Sequence, residues 1–232
     1  MSSDTPSVYY RHSSLVPGAS QLSWRVRSRI FGIFLDVMQP TSSSSVLDVG
    51  VTDDVTALES NFFEQLYPHK ERLTCASIED ASHLERLYSG VQFRSLVSGK
   101  ALPFSDRSFD IVFCNAVVEH VGSSERQRAF VGELCRVGVS VFIATPNRWF
   151  PVELHTGVPL LHLLPKRFHR ATLARTRLSH WASEDHLNLL TLAELTGLFP
   201  ADRTPVSMRV GLGWGHWRSN LIAYTPIDGR RG

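Results

Sequence analysis

Apolar residues recur near the start of the chain at Leu22, Val26, Ile30, Ile33 and Val37, three or four apart, with Arg25 and Arg29 off that stripe. The spacing predicts an amphipathic helix over 21–38 that packs one face on a core. Pro40 and the polar run from Thr41 to Ser45 end it. From Val46 onward, short apolar runs alternate with helical patterns. Strands are expected over 46–50, 73–78, 91–97, 109–114 and 139–144, with helices over 55–67 and 81–88 and a further one from Ser124. That last helix reads as opening on a capping box, Ser124-x-x-Gln127, and burying Phe130, Leu134 and Val137. Such alternation predicts an α/β fold, Rossmann-like and doubly wound, with a mostly parallel sheet covered by helices on both faces.

The last third has a different texture. Residues 146–190 are rich in Pro, His, Leu and Arg without a clean period, and are expected to form a small cap or substrate-recognition insertion over the carboxyl edge of the sheet. Thr191-x-x-Glu194 opens another helix by a capping box. Two apolar runs, 206–212 and 220–224, flank the Gly- and Trp-rich turn Gly213-Trp-Gly-His-Trp217, a hairpin that gives the sheet an antiparallel edge strand. The expected organisation is an N-terminal polar lead and helix over 1–45, a cofactor-binding core over 46–145, the insertion over 146–190, and a C-terminal helix and hairpin over 191–232.

Composition narrows the function classes. With 232 residues, 43% of them hydrophobic and 20% charged, the chain can bury one sizeable core. A net charge of +2 gives no global field for nucleic acid, so none is expected as a partner. Cys75, Cys114 and Cys135 show no paired spacing, and each falls in a run read as buried, which suits reduced core thiols. No run approaches the roughly 20 apolar residues of a membrane span, and the polar start lacks a signal-peptide layout, so a cytoplasmic protein is expected. No feature sets an oligomeric state.

The chemistry concentrates in Val46-Leu-Asp-Val-Gly-Val-Thr-Asp-Asp54. A dinucleotide loop needs Gly-x-Gly-x-x-Gly; here the positions are Gly50, Thr52 and Val55. Asp53 and Asp54 would add two carboxylates where a pyrophosphate must sit, an electrostatic cost in a partly desolvated cleft. A cofactor with positive character is better tolerated, which disfavours a nicotinamide-dependent oxidoreductase. Leu102-Pro-Phe-Ser-Asp-Arg-Ser-Phe-Asp110 leads into IVFCNAVVEHV, and ATPN closes the fifth strand. Together and in this order, these pieces resemble the class I S-adenosylmethionine-dependent methyltransferases, in particular those with a type 11 domain, over roughly residues 40–150. The departure is in the first loop, where Thr52 and Asp54 hold positions that are usually glycine.

The resemblance implies S-adenosylmethionine as cofactor and in-line methyl transfer to a small-molecule or glycan-like acceptor. It assigns Asp48, Gly50 and Thr52 to the methionine end, Glu79 to the ribose hydroxyls with Asp80 as runner-up, the loop at Lys100 and Ala101 to the adenine edge, and Asn115 to the crevice. The alternative is a methyltransferase-like binding protein that kept the fold and lost the activity because Thr52 and Asp54 crowd the methionine end. If the acceptor needs a general base, His120 and His155 are the candidates. In the insertion, Asn147, Arg148, Trp149, Glu153 and His155 offer a mixture suited to a polar substrate. Glu153, His155 and His162 lack a repeated ligand spacing, so no metal centre is expected. Lys166, Arg167, Arg170, Arg175 and Arg177, with Leu160, Leu161, Leu163, Leu164 and Phe168 nearby, read as a solvated basic face or, more sharply, as a surface for a lipid-linked acceptor at a membrane.

Overall fold

The computed structural model describes residues 18–153 and 155–226; the polar lead, Leu154 and residues 227–232 lie outside it. Seven strands form one sheet: β1 (Val46–Val49), β2 (Leu73–Ser77), β3 (Gln92–Ser95), β4 (Phe109–Asn115), β5 (Gly138–Pro146), β6 (Val206–Val210) and β7 (Asn220–Tyr224). Their order is β3-β2-β1-β4-β5-β7-β6. The first five pair in parallel, and β7 runs against both β5 and β6. The antiparallel character expected at one edge is therefore carried by the β6–β7 hairpin.

Period-two alternation along the strands builds two cores. Val46, Cys75, Ile111, Phe113 and Phe142 face the layer made by α1 (Ala19–Met38) and α2 (Phe62–Leu66). Leu47, Val49, Val112, Cys114 and Ile143 face α4 (Ser124–Val137) and α6 (Leu192–Thr196). Both faces of β1 are thus covered, which is why VLDV reads as a near-continuous apolar run. Of the expected stripe on α1, Ile30 is buried in the first core, Val26, Ile33 and Val37 pack partly against it, and Leu22 is exposed. The neighbouring Phe34 and Met38 are fully buried, and Phe34 meets the rings of Phe63, Phe113 and Phe142 edge-on at 5.0–5.5 Å. The three cysteines are buried free thiols, and burial pushes each pKa up, Cys135 to about 11.

Three expectations shift. The helix expected over 55–67 is confined to Phe62–Leu66, because Asp54 accepts from the backbone N–H of Thr56 and Ala57 and the hydroxyl of Ser60, which holds that stretch in turns. The helix over 81–88 shortens to α3 (Leu84–Leu87). Helix α4 is capped by Ser123, not Ser124: the Ser123 hydroxyl accepts from the Arg126 N–H, while Gln127 is buried and donates to the carbonyls of Val118 and Asn188. The Thr191–Glu194 capping box is present.

The insertion after β5 carries α5 (Lys166–Leu173) and a core of its own, in which Leu173, Trp181, Leu187 and Leu189 are buried together. It is tied back to the carboxyl edge of the sheet by the Asn188 N–H, which donates to the Glu119 carbonyl at 2.7 Å. Among the described residues, no helix is long and apolar enough to cross a membrane.

Candidate active site

Strand order reverses between β1 and β4, and the crevice of an open α/β sheet lies beyond the carboxyl ends at such a point. A narrow cleft opens there, lined by Arg27, Asp48, Gly50, Thr52, Asn61 and Asn115, with Glu64 and Ala116 beside them. Gly50 has φ of 104°, and a Cβ on it would sit 2.1 Å from Cγ2 of Val117. Only glycine lets the backbone take this shape against β4's exit. The rest of the loop is shaped by a side-chain clamp instead of further glycines: Thr52 N–H donates to Asn61 Oδ1 at 3.0 Å, and Asn61 Nδ2 donates to the Thr52 carbonyl at 2.9 Å. Asn61 itself sits at φ of 50°, a conformation asparagine tolerates. Asp54, expected to crowd the methionine end, is instead committed to its own turn. Burial opposes its charge, but the Ser60, Thr56 and Ala57 donors outweigh that and lower its pKa.

The cleft floor is acidic. Asp48 and Glu64 are buried against each other, and burial, followed for Asp48 by the Glu64 charge, raises both carboxyls, that of Asp48 well above its ordinary value. Glu64 Oε1 accepts from Cys75 Sγ at 3.0 Å, while Oε2 has no donor unless the pair retains a proton. A carboxyl raised on folding contributes stability that is complete below the unfolded pKa near 4 and is lost as pH rises through the folded value. Glu64→Gln keeps an acceptor for Cys75 and removes one charge. The variant is expected to gain stability relative to the parent as pH rises from 4 towards 8, by up to about 1.4 kcal/mol per pH unit. Urea unfolding of both proteins across that range measures the gap, and a gap that stays constant or narrows contradicts the assignment.

A second cluster stands beyond the ends of β4 and β5. Thr145, on β5, donates to Glu119 Oε2 at 2.8 Å. Glu119 is fully buried, and its Oε1 accepts no hydrogen bond among the described residues. The ring of His120 packs edge-on to that of His155 at 4.8 Å. His155 Nδ1 donates to Glu153 Oε1 at 2.6 Å, and His120 Nδ1 donates to the His186 carbonyl at 2.6 Å. Burial disfavours the imidazolium of His155, but the adjoining Glu153 carboxylate outweighs it and raises the pKa. For Glu153 the balance runs the same way: burial works against ionisation, yet His155 and the loop donors hold its pKa down at about 2. His120 is pushed down to about 3, by burial first and the His155 charge second. Burial raises the Glu119 carboxyl above its ordinary value, against the opposing His155 charge and the Thr145 hydrogen bond.

Comparisons with known proteins agree with this geometry. Residues 54–139 match the family described as Methyltransferase domain. Among solved structures, PH0226 protein from Pyrococcus horikoshii OT3 superposes with a TM-score of 0.60 over 95% of this chain and 98% of its own, at 18% identity. N-methyltransferase NodS from Bradyrhizobium japonicum WM9, in complex with S-adenosyl-L-homocysteine, gives 0.52 over 88% and 90%, at 15% identity. The fold is that of the class I S-adenosylmethionine-dependent methyltransferases. A curated relative, ubiquinone biosynthesis O-methyltransferase of Coxiella burnetii, is 33% identical over 95 residues, which is 39% of this chain and 39% of its own length. The chain thus matches well under half the length of that relative.

Within this methyltransferase fold, the residues singled out in the sequence divide. Asp48, Gly50, Thr52 and Asn115 line the cleft. Glu79 lies behind the loop, its Oε2 accepting from Thr52 Oγ1 at 3.0 Å and the Asp53 N–H at 3.3 Å. Asp80 is exposed, and its Oδ1 accepts from the Ser82 N–H in a turn. Lys100 and Ala101 are exposed, and the Lys100 N–H is spent on the Val97 carbonyl. His120 and His155, the candidate bases, stand ring to ring beside Glu119. Asn147 is buried and fully committed, donating to the His216 and Arg218 carbonyls and accepting from the Trp149 N–H, so it knits the insertion to the hairpin and does not face a substrate. Glu153, also buried, holds His155 and the Thr156 N–H and acts through them. Trp149 is exposed beside Arg148, whose guanidinium lies 5.9 Å from its ring centroid. His162 is buried, and its Nε2 donates to the Phe150 carbonyl at 2.7 Å.

Sequence reasoning missed Arg27, Asn61 and Glu64. Arg27 sits between apolar positions of α1 and carries no motif. Glu64 did leave a signal: an acid within Phe62-Phe-Glu-Gln-Leu66 must be buried with its neighbours or break the run.

Proposed function

We propose that this chain transfers a methyl group from S-adenosylmethionine to a hydroxyl of a small-molecule or glycan-like acceptor. The observation that carries the reading is the acid-floored cleft at the strand-order reversal, pressed against Gly50. Buried carboxyls favour a ligand bearing a sulfonium and an ammonium and repel a pyrophosphate. The residues present fit such a cofactor. Any side chain at position 50 would fill the space at Val117, and Arg27 lines the cleft as a counter-charge for the methionine carboxylate. Glu79, joined to the cleft loop through Thr52 and the Asp53 N–H, is the carboxylate for the ribose hydroxyls.

Bound S-adenosylmethionine supplies an electrophilic methyl group on its sulfonium. The work left to the protein is alignment and exclusion of water, and ordering two reactants in this way is worth roughly 7–11 kcal/mol of barrier. The insertion overhangs the same edge of the sheet, and its His155, held by Glu153, is the polar group that reaches the rim beside Glu119. Similarity to an O-methyltransferase supports oxygen as the accepting atom. A shallow depression lined by Arg148, Lys166, Arg170, His162 and His169 suits an anionic part of the acceptor, and the exposed Leu160, Leu164 and Phe168 beside it suit a lipid-linked one.

Transfer of tritium from methyl-labelled S-adenosylmethionine to a panel of phenols, sugars and matched amines tests the reading. Label in hydroxyl acceptors is expected. Label confined to the amines contradicts the choice of oxygen, and no label in any acceptor, with cofactor bound, contradicts the activity.

A further inference from the structure

We propose that Glu119, His120 and His155 form a binding site for a divalent cation of borderline softness, zinc in the first instance, beside the methyl-transfer crevice. One ligand atom from each of the three lies within 4.8 Å of the others. Zinc ligands at about 2.0–2.2 Å stand roughly 3.4 Å apart, so side-chain rotation of about an ångström closes the set.

Three features distinguish this cluster from a chance meeting of polar groups. Glu119 is 0% exposed and its Oε1 has no hydrogen-bond donor among the described residues, although Oε2 takes the Thr145 hydroxyl. A buried carboxylate oxygen left without a partner is costly, and a cation resolves that cost. Both histidines are then oriented from behind through Nδ1, His155 by the Glu153 carboxylate and His120 by the His186 carbonyl. An imidazole whose Nδ1–H is held by a carboxylate or carbonyl presents Nε2 to a metal in a fixed orientation, the arrangement typical of metal-bound histidines. His120 Nε2 accordingly lies on the Glu119 side, 3.9 Å from Oε1. Finally, the two imidazole rings pack edge-on with centroids 4.8 Å apart, so both stand at the same carboxylate.

The donor set selects the ion. Two imidazole nitrogens and one carboxylate suit Zn²⁺, Co²⁺ or Fe²⁺, whereas Mg²⁺ and Ca²⁺ prefer all-oxygen shells. Three protein ligands leave coordination positions open, for water or for an acceptor oxygen. Metal binding is read without cofactor or acceptor, so its failure is distinguishable from a failure of methyl transfer.

Titration of the chelator-treated full chain with Co²⁺ alone, followed by visible d–d absorption, tests the site. One Co²⁺ per chain is expected, displaced by Zn²⁺. Glu119→Gln keeps an acceptor for Thr145 and removes a buried charge, so it is expected to fold as stably as the parent and yet lose the bands; His155→Ala is expected to lose them too. Glu153→Gln, which acts only through His155, is expected to weaken Co²⁺ binding about 10–100-fold. His180→Ala, in the stacked His180–His186 pair at 3.9 Å, is expected to leave the bands unchanged. Absence of d–d bands at millimolar Co²⁺, or bands that survive either Glu119→Gln or His155→Ala, overturns the proposal.

Discussion

Gly50→Ala is expected to destabilise the fold by about 2–4 kcal/mol and to close the cofactor cleft. Two separable costs produce this. The left-handed backbone, at φ of 104°, costs a residue with a Cβ about 1–2 kcal/mol. Contact of that Cβ with Val117 at 2.1 Å forces a shift of the kind that costs about 1–3 kcal/mol in a packed interior. Guanidinium unfolding of Gly50→Ala, Val117→Ala and the double variant separates them. The double variant is expected to recover the contact cost and keep the backbone cost. If Gly50→Ala unfolds within about 0.5 kcal/mol of the parent, the close approach that defines the cleft is wrong.

The second large effect concerns Glu79. Replacing it with alanine is expected to weaken S-adenosylhomocysteine binding by about 1.5–3 kcal/mol, a factor of roughly ten to a hundred, because a charged acceptor for the ribose hydroxyls is lost. Glu79 also anchors Thr52 and the Asp53 N–H, so a loss of affinity alone would not distinguish ribose contact from loop collapse. An analogue lacking both ribose hydroxyls does distinguish them. Ribose contact predicts that the analogue binds parent and Glu79→Ala equally; loop collapse predicts that the variant weakens both ligands by the same factor.

The fold was legible wherever one period dominated. The apolar stripe of α1, the buried runs of β1, β4 and β5, and the Thr191–Glu194 capping box all followed from local patterning. Legibility failed where side chains compete with backbone ladders. The run from Val55 has helical spacing, but Asp54 holds its own turn with three neighbouring residues, and the helix starts only at Phe62. In the site, Asp48 and Gly50 were readable because the reversal of strand order dictates where a loop must admit a ligand. The Asn61 clamp that replaces the absent glycines was not, since it depends on a side chain nine residues further along. Glu119, His120 and His155 are 35 residues or more apart at their extremes, and only the return of the insertion over β5 brings them together. Asn147 shows the converse: its residue type suits substrate recognition, but it is buried with Nδ2 donating to two hairpin carbonyls and Oδ1 accepting from the Trp149 N–H.

The central claim is that the acid-floored cleft beside Gly50 is shaped for S-adenosylmethionine. Calorimetric titration of the purified chain with S-adenosylhomocysteine tests it most directly, with NAD as the control ligand. One S-adenosylhomocysteine per chain is expected to bind, with NAD silent. No heat from S-adenosylhomocysteine at millimolar concentration, or binding of NAD in its place, would contradict the account.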